Sequence, residues 1–270
     1  MQTIKAVMAQ SALPRLEQQM LWEHVLGVSR AWLIAHDTDT LPPAAVAKYF
    51  ALAQRRLNGE PMAYILGQRE FMGHMFKVTP AVLIPRPETE FLVEQALALL
   101  PSTPAPRIVD LGTGSGAVAI AIALARPDAV VVATDYSHDA LAVARENAHN
   151  LCADIEFFQG SWYDALKGQA PFDMIVSNPP YIAEKDPHLY QGDVRFEPIT
   201  ALTASQNGLA DLRQIIQGAK AYLTPTGSIW LEHGWDQAAI VRNMLAEADF
   251  NQPTSISDLA GIPRITGAYS

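Results

Sequence analysis

The run Ile108-Val109-Asp110-Leu111 leads straight into Gly112-Thr113-Gly114-Ser115-Gly116, and a stretch of alanine, valine, isoleucine and leucine follows from Ala117 to Ala125. A short apolar run ended by glycine predicts a buried strand, and the longer apolar run behind it predicts a helix. Glycine lets the backbone turn sharply and come close to a ligand, while the helix N-terminus presents N–H groups with no partner in the helix. Strand, glycine turn and helix together open a βαβ unit, which commits the chain to a parallel sheet.

The alternation continues on both sides of this turn. From about Pro85 onward, strands are predicted at Arg107–Leu111, Val130–Thr134, Ile155–Phe158, Asp173–Val176 and Ser228–Glu232. Helices are predicted at Glu88–Leu100, Gly116–Ala125, Ser137–Asn150, Leu209–Leu223 and Asp236–Ala248. Two closing strands from Thr254–Tyr269 would complete seven. The expected fold class is α/β: a doubly wound, mostly parallel seven-stranded sheet with helices on both faces.

The front of the chain differs. Residues 1–68 show helical spacing and almost no strand signal, with Leu21, Trp22, Val25 and Leu26 on one face. Further helices are expected around Ala31–Ala35, Pro43–Asn58 and Met62–Leu66, with Trp22, Trp32, Phe50 and Tyr64 in the core. This part is slightly basic, so the whole of the net −9 arises downstream. The segment Glu70–Val78 predicts a hairpin turning at Gly73. The expected division is a small all-helical N-terminal domain over 1–68 that recognises substrate, a hairpin linker over 69–84, and a catalytic domain over 85–270.

Composition narrows the function classes. A chain that is 49% hydrophobic and 17% charged is compact rather than disordered. The acidic balance opposes a broad nucleic-acid footprint. A single cysteine, Cys152, excludes an intrachain disulfide and fits a reducing cytoplasm. Seven histidines lie scattered without ligand spacing, so no metal is expected. No apolar stretch reaches membrane-span length, and no signal peptide opens the chain.

The second predicted strand ends at Asp135, 23 residues after Gly112, where a carboxylate can accept from both ribose hydroxyls. After the third strand come Gly160-Ser161-Trp162, whose indole can cover an adenine ring. These residues leave the ligand open. Gly112-x-Gly114-x-x-Ala117 also satisfies a relaxed dinucleotide fingerprint, so NAD competes. A phosphate-binding P-loop is disfavoured because no Lys-Ser or Lys-Thr follows the glycines. A ligand-free turn, or Asp135 as a plain helix cap, is the bland alternative.

The fourth predicted strand runs into Asn178-Pro179-Pro180-Tyr181. Neither proline has an N–H, so the carbonyls here are free of ladder partners. The Asn178 oxygen and the Pro179 carbonyl offer two acceptors for an NH2 group, and Tyr181 adds an aromatic face. Asn-Pro is also a common turn opener. The glycine loop, Asp135 and this tetrapeptide would share the carboxyl edge of one sheet, which suits S-adenosylmethionine with its methyl placed between adenosine and a planar nitrogen group.

On these residues the chain resembles class I methyltransferases, and specifically the peptide chain release factor glutamine methyltransferases. The resemblance takes in the helical front, Phe71–Val78, Leu83-Ile84-Pro85-Arg86-Pro87-Glu88-Thr89-Glu90, the glycine loop and Asn178–Tyr181. It continues through Gly208-Leu209, Leu231-Glu232-His233-Gly234 and Arg264-Ile265-Thr266. It implies methylation of the glutamine in the Gly-Gly-Gln motif of release factors, which would be the protein partners, with S-adenosylhomocysteine as product. It also implies cofactor contacts from Gly112, Thr113, Gly114, Ser115, Gly116, Asp135, Trp162 and Asn178. Catalysis would rest on Asn178, Pro179 and Tyr181, with Pro180 beside them in the substrate site. Ser161 stands where related enzymes often carry an acid. Methylation of a ribosomal protein glutamine, amino-methylation of adenine or guanine, and nicotinamide-dependent oxidoreduction are the competing functions.

Overall fold

The computed structural model describes residues 2–270. The chain forms two compact units, Met1–Gln68 with Tyr190–Phe196, and Arg69–Leu189 with Glu197–Ser270.

The first unit is helical: α1 (Ile4–Met8), α2 (Arg15–Leu26), α3 (Arg30–Ala35), α4 (Pro43–Leu57) and α5 (Met62–Leu66). Local chemistry sets the boundaries. The hydroxyls of Thr3 and Ser29 accept from the N–H of Ala6 and Trp32 and so cap α1 and α3. Pro43 opens α4, and Gly27 in the left-handed region closes α2. The core centres on Trp22 stacked on Tyr49, with ring centroids 4.3 Å apart and both rings fully buried. Truncating such a tryptophan costs about 3–5 kcal/mol. Tyr64 is also buried, but Trp32 and Phe50 are 37% and 39% exposed, which corrects the expected core. Phe50 follows Tyr49 on one helix, and a single helical step turns it away from the face that Tyr49 buries. Trp32 instead stacks on His36, one turn along. Arg56 donates to Glu17 and Asp193, each at 2.9 Å, which ties the 190–196 segment into this unit.

Strands β1 (Gln68–Phe71) and β2 (His74–Lys77) form a hairpin. Its two loop residues, Met72 and Gly73, both have positive φ, as the tightest hairpin turn requires. Two carboxylates hold the turn: Glu90 accepts from Met72 N–H at 2.9 Å and Glu70 from Gly73 N–H at 2.6 Å. Phe71 and Phe76 meet edge to face and are buried in the core of the second unit.

The rest of that unit runs α6 (Pro87–Leu99), β3 (Arg107–Leu111), α7 (Ala117–Ala125), β4 (Val130–Asp135), α8 (His138–Leu151), β5 (Glu156–Gln159) and β6 (Phe172–Ser177). A pair of two-residue strands, β7 (Ile182–Ala183) and β8 (Thr203–Ala204), brackets α9 (Ile199–Leu202), and α10 (Ser205–Gly208) follows. Then come α11 (Ala210–Ala219), β9 (Leu223–Glu232), α12 (Ala238–Glu247), β10 (Asn251–Ser257) and β11 (Pro263–Tyr269). Seven strands form one sheet in the order β10-β11-β9-β6-β3-β4-β5. Strands β5, β4, β3, β6 and β9 are parallel, and β11 alone runs against its neighbours β9 and β10.

Alternation at period two feeds a core on each face. Ile108, Met174 and Val176 pack with Leu92 and Val93 of α6 and with α7. Val109, Leu111, Ile175 and Ile229 pack with Leu212 and Ile215 of α11 and Val241 of α12. Strand β9 begins five residues before its predicted start. Thr224-Pro225-Thr226-Gly227 is an irregular insertion between the Phe172–Leu223 and Met174–Ser228 pairings, where Pro225 has no N–H for a ladder. From β3 the chain moves to β4 and β5 on one side and later to β6 on the other. That reversal opens a crevice at the carboxyl ends of the strands.

Candidate active site

The glycine loop is held by the strand beside it. The N–H groups of Gly112 and Thr113 both donate to Thr134 O at 2.9 Å. Beneath them Asp110 is buried and accepts from the Thr113 hydroxyl at 2.6 Å. Burial pushes the Asp110 carboxyl up to about 7, against the Thr113 hydroxyl and the Ala119 N–H, which favour its charged form. Asp135, at the end of β4, accepts from Gly114 N–H through one oxygen and from Ser137 N–H through the other, each at 2.8 Å. Burial raises its pKa, while these backbone donors oppose the shift. Behind the loop, Asn147 donates to Ser115 O at 2.9 Å and to Lys77 O at 3.0 Å, joining α8 to both the loop and the hairpin.

Trp162 opens the short turn after β5 with φ of 46°. Its ring lies over Gly112, where an added Cβ would come within 3.2 Å of the indole. Asp211 hydrogen-bonds Trp162, and burial raises its carboxyl pKa.

At the end of β6, Ser177 donates to Leu111 O at 2.6 Å, fixing β6 to β3 immediately before the tetrapeptide. The Asn178 amide then donates to the Thr89 hydroxyl at 3.0 Å. Tyr181 donates its hydroxyl to Glu232 Oε1 at 3.2 Å, and its carbonyl accepts from Gln237 at 3.0 Å. Glu232 is 2% exposed, and burial pushes it up to about 7 although the Thr89 and Tyr181 hydroxyls and Arg264 favour its charge. His233 is fully buried between Gly234 O and Thr266 Oγ1, so it is a packing residue.

These elements surround a cleft of about 430 Å³. Gly112, Thr113, Gly114, Ser115, Asp135, Trp162, Asn178 and Pro180 all line it. Gly116, Pro179 and Tyr181 are not among the lining residues. Gly116 is the N-cap of α7, and the space its Cβ would need is filled by Ile120 and Ala144. Tyr181 turns its hydroxyl inward to Glu232.

Four lining or supporting residues carry roles that the pattern alone did not assign. Thr89 lines the cleft from α6, and Glu232 ends β9 beneath Tyr181. A carboxylate closing an otherwise apolar strand was the available signal for Glu232. Arg86 lines the cleft and forms an ion pair with Glu197, whose side chain is fully buried and also accepts from Ile84 N–H at 3.0 Å. This pair sits beside Pro198 and Thr200 on the cleft wall.

Sequence models match the PrmC N-terminal domain over residues 1–67 and the methyltransferase small domain over 88–192. The release factor glutamine methyltransferase of Bordetella pertussis is 57% identical over 269 residues, covering 100% of both chains. That of Escherichia coli is 46% identical over 261 residues, covering 96% of this chain and 94% of its own. Solved structures share the fold at lower identity. A Pyrococcus furiosus methyltransferase has a TM-score of 0.55 at 18% identity, covering 80% of this chain and 95% of its own. A T. thermophilus 16S rRNA methyltransferase in complex with AdoMet and guanosine has a TM-score of 0.57 at 18% identity, covering 75% of this chain and 49% of its own. Full-length identity to enzymes of one name, on a methyltransferase sheet with its glycine loop and Asn-Pro-Pro-Tyr edge, makes this chain a member of the release factor glutamine methyltransferase family.

Proposed function

We propose that this protein transfers the methyl group of S-adenosylmethionine to the side-chain amide nitrogen of the glutamine in the Gly-Gly-Gln motif of peptide chain release factors. The observation that carries the reading is that Asp135, the glycine loop and Asn178 open onto a single cleft. Its volume suits a ligand of this size. Asp135 accepts from the backbone N–H groups of Ser137, Gly114 and Tyr136, and the lone pair that remains on its two oxygens would take a ribose hydroxyl. Trp162 would flank the adenine, and Gly112–Gly116 would face the methionine portion. Gly116 contributes by letting α7 pack closely rather than by contact. A nicotinamide reading would leave Asn178–Tyr181 without a role.

The cofactor supplies an electrophilic methyl group on a sulfonium. A glutamine amide is a weak nucleophile because its nitrogen lone pair is delocalised into the carbonyl, so alignment is the main task of the site. Asn178 Oδ1 and the Pro179 carbonyl accept the two N–H bonds of the substrate amide and stabilise positive charge developing on its nitrogen. Tyr181 braces the turn that carries Asn178 from behind the cleft, through its hydroxyl on Glu232. Bound S-adenosylmethionine would supply the methyl group, its C–S bond breaking as the N–C bond forms, with S-adenosylhomocysteine as the product. The nitrogen then loses a proton to solvent, so no strong base is required.

The test is transfer of labelled methyl from S-adenosylmethionine to release factors with the Gly-Gly-Gln glutamine present or replaced. Label is expected only on the former, and Asn178→Ala is expected to lower the rate while cofactor affinity holds. Label on a ribosomal protein or on nucleic acid, with none on release factors, would refute the proposal.

A further inference from the structure

We propose that Thr89 and Glu232 are positioning residues that fix which edge of the Asn178 amide faces the reacting nitrogen. This rests on the reading of Asn178 given above. An asparagine side chain presents an acceptor on one edge and two donors on the other, and only the acceptor edge can hold a substrate N–H. Asn178 Nδ2 lies 3.0 Å from Thr89 Oγ1, so the side chain is turned with its donor edge toward α6. A hydroxyl could meet either edge, as donor or as acceptor. What decides is where the Thr89 proton goes.

That proton has a receiver in Glu232. Its carboxylate accepts from Tyr181 through Oε1, while Oε2 is buried with no hydrogen-bond partner of its own. The Thr89 hydroxyl closes no hydrogen bond to this carboxylate among the described residues, but it favours the charged form, which makes the unpaired Oε2 the acceptor open to its proton. With its proton directed to Glu232, Thr89 can only accept from Asn178, and Asn178 is left with Oδ1 free for substrate. The same carboxylate holds the hydroxyl of Tyr181, so one buried charge orients the Asn178 and Tyr181 side chains. Thr89 comes from α6, Glu232 from β9, and Asn178 and Tyr181 follow β6, so three elements converge on this network. The charged groups around Glu232 are Arg264, which favours its ionised form, and Glu88, which opposes it; Tyr181 is the titratable partner.

The experiment compares Thr89→Val, Thr89→Ser, Glu232→Gln and Asn178→Ala for kcat, KM toward a release factor, and S-adenosylmethionine affinity by calorimetry at pH 8. Thr89→Val is expected to lower kcat by about 10- to 100-fold, with KM and cofactor affinity held within about threefold. Thr89→Ser should return kcat to within about threefold of the parent. The Thr89→Val/Glu232→Gln double variant should lose no more than the worse single, because both cut one link. The parent kcat should rise through pH 7 as Glu232 ionises, and this limb should vanish in Glu232→Gln. If Thr89→Val does not fold, Glu232→Gln and its pH profile read the same link. A Thr89→Val kcat near the parent, or losses that multiply in the double variant, would overturn the pair. If Asn178→Ala is inactive while Thr89→Val is not, only this inference falls. If Asn178→Ala retains full kcat, the proposed function falls with it.

Discussion

Replacing Gly208 with alanine should damage the site more than it strains the backbone, and the structure separates the two costs. Gly208 has φ of +83°, and a Cβ there would lie 2.0 Å from the Tyr181 carbonyl oxygen and 2.7 Å from its carbon. The left-handed conformation costs an L-residue about 1–2 kcal/mol. Forcing an extra methyl into packed backbone adds about 1–3 kcal/mol, giving about 2–5 kcal/mol in all. At about 2–4 °C per kcal/mol for a domain of this size, the melting temperature should fall by about 4–20 °C. Gly168 provides the control: its φ is +84°, it lies in an exposed loop, and no atom stands within 4 Å of its added Cβ. Gly168→Ala should therefore show the backbone term alone. The displaced atom in Gly208→Ala is the carbonyl that Gln237 holds at 3.0 Å, so Tyr181 must shift and kcat should drop by about tenfold or more. Thermal unfolding followed by circular dichroism, with methyl-transfer kinetics, measures both. Equal melting losses in the two variants, with kcat preserved in Gly208→Ala, would refute the argument.

Asp135→Asn replaces one acceptor oxygen with an NH2 that faces a backbone N–H, and it should weaken S-adenosylmethionine binding by about 1–3 kcal/mol; unchanged affinity by calorimetry would remove Asp135 from the ribose role. Arg86→Ala removes the Arg86 cation from beside the fully buried Glu197 side chain, and the urea midpoint should report a loss of about 2–3 kcal/mol, at or below the usual range for a broken buried pair because Arg86 is one-third exposed. Glu197→Gln in the Arg86→Ala background should recover part of that loss. Asp110 is raised from 3.8 to about 7, so between these values the folded protein binds more protons than the unfolded chain. Its contribution to stability therefore falls as pH rises from about 4 to 7 and is level above. Asp110→Asn should flatten that slope in denaturant titrations across the window, and an unaltered slope would show that another group sets it.

The sheet was legible because its central strands β3, β4 and β6 are mostly apolar on both faces and are followed by punctuation at Gly112, Ser137 and Asn178-Pro179. Arg107–Leu111 has its predicted bounds, and Val130–Asp135 differs by one residue. The short α1 was missed, since five residues carry too little periodicity to register. The early start of β9 was hidden by Pro225 and Gly227, which read as a turn and are instead an insertion within the strand. At the cleft, residues sitting beside glycine or proline could be found from local pattern. Thr89 and Glu232 could not be linked to Asn178 that way, because their roles arise from elements 89 and 54 positions away in the chain. Trp32 and Phe50 show the converse failure: aromatic character alone does not say which side of a helix faces inward.

Strand β11 follows the other ten strands in sequence yet lies between β9 and β10. Ile265 pairs with Glu232, and His233 N–H donates to Arg264 O. The carboxylate beneath Tyr181 is thus seated by the antiparallel strand wedged between β9 and β10, so the floor under the Asn-Pro-Pro-Tyr turn is shared by two stretches of chain, and loosening either one would unsettle the catalytic edge.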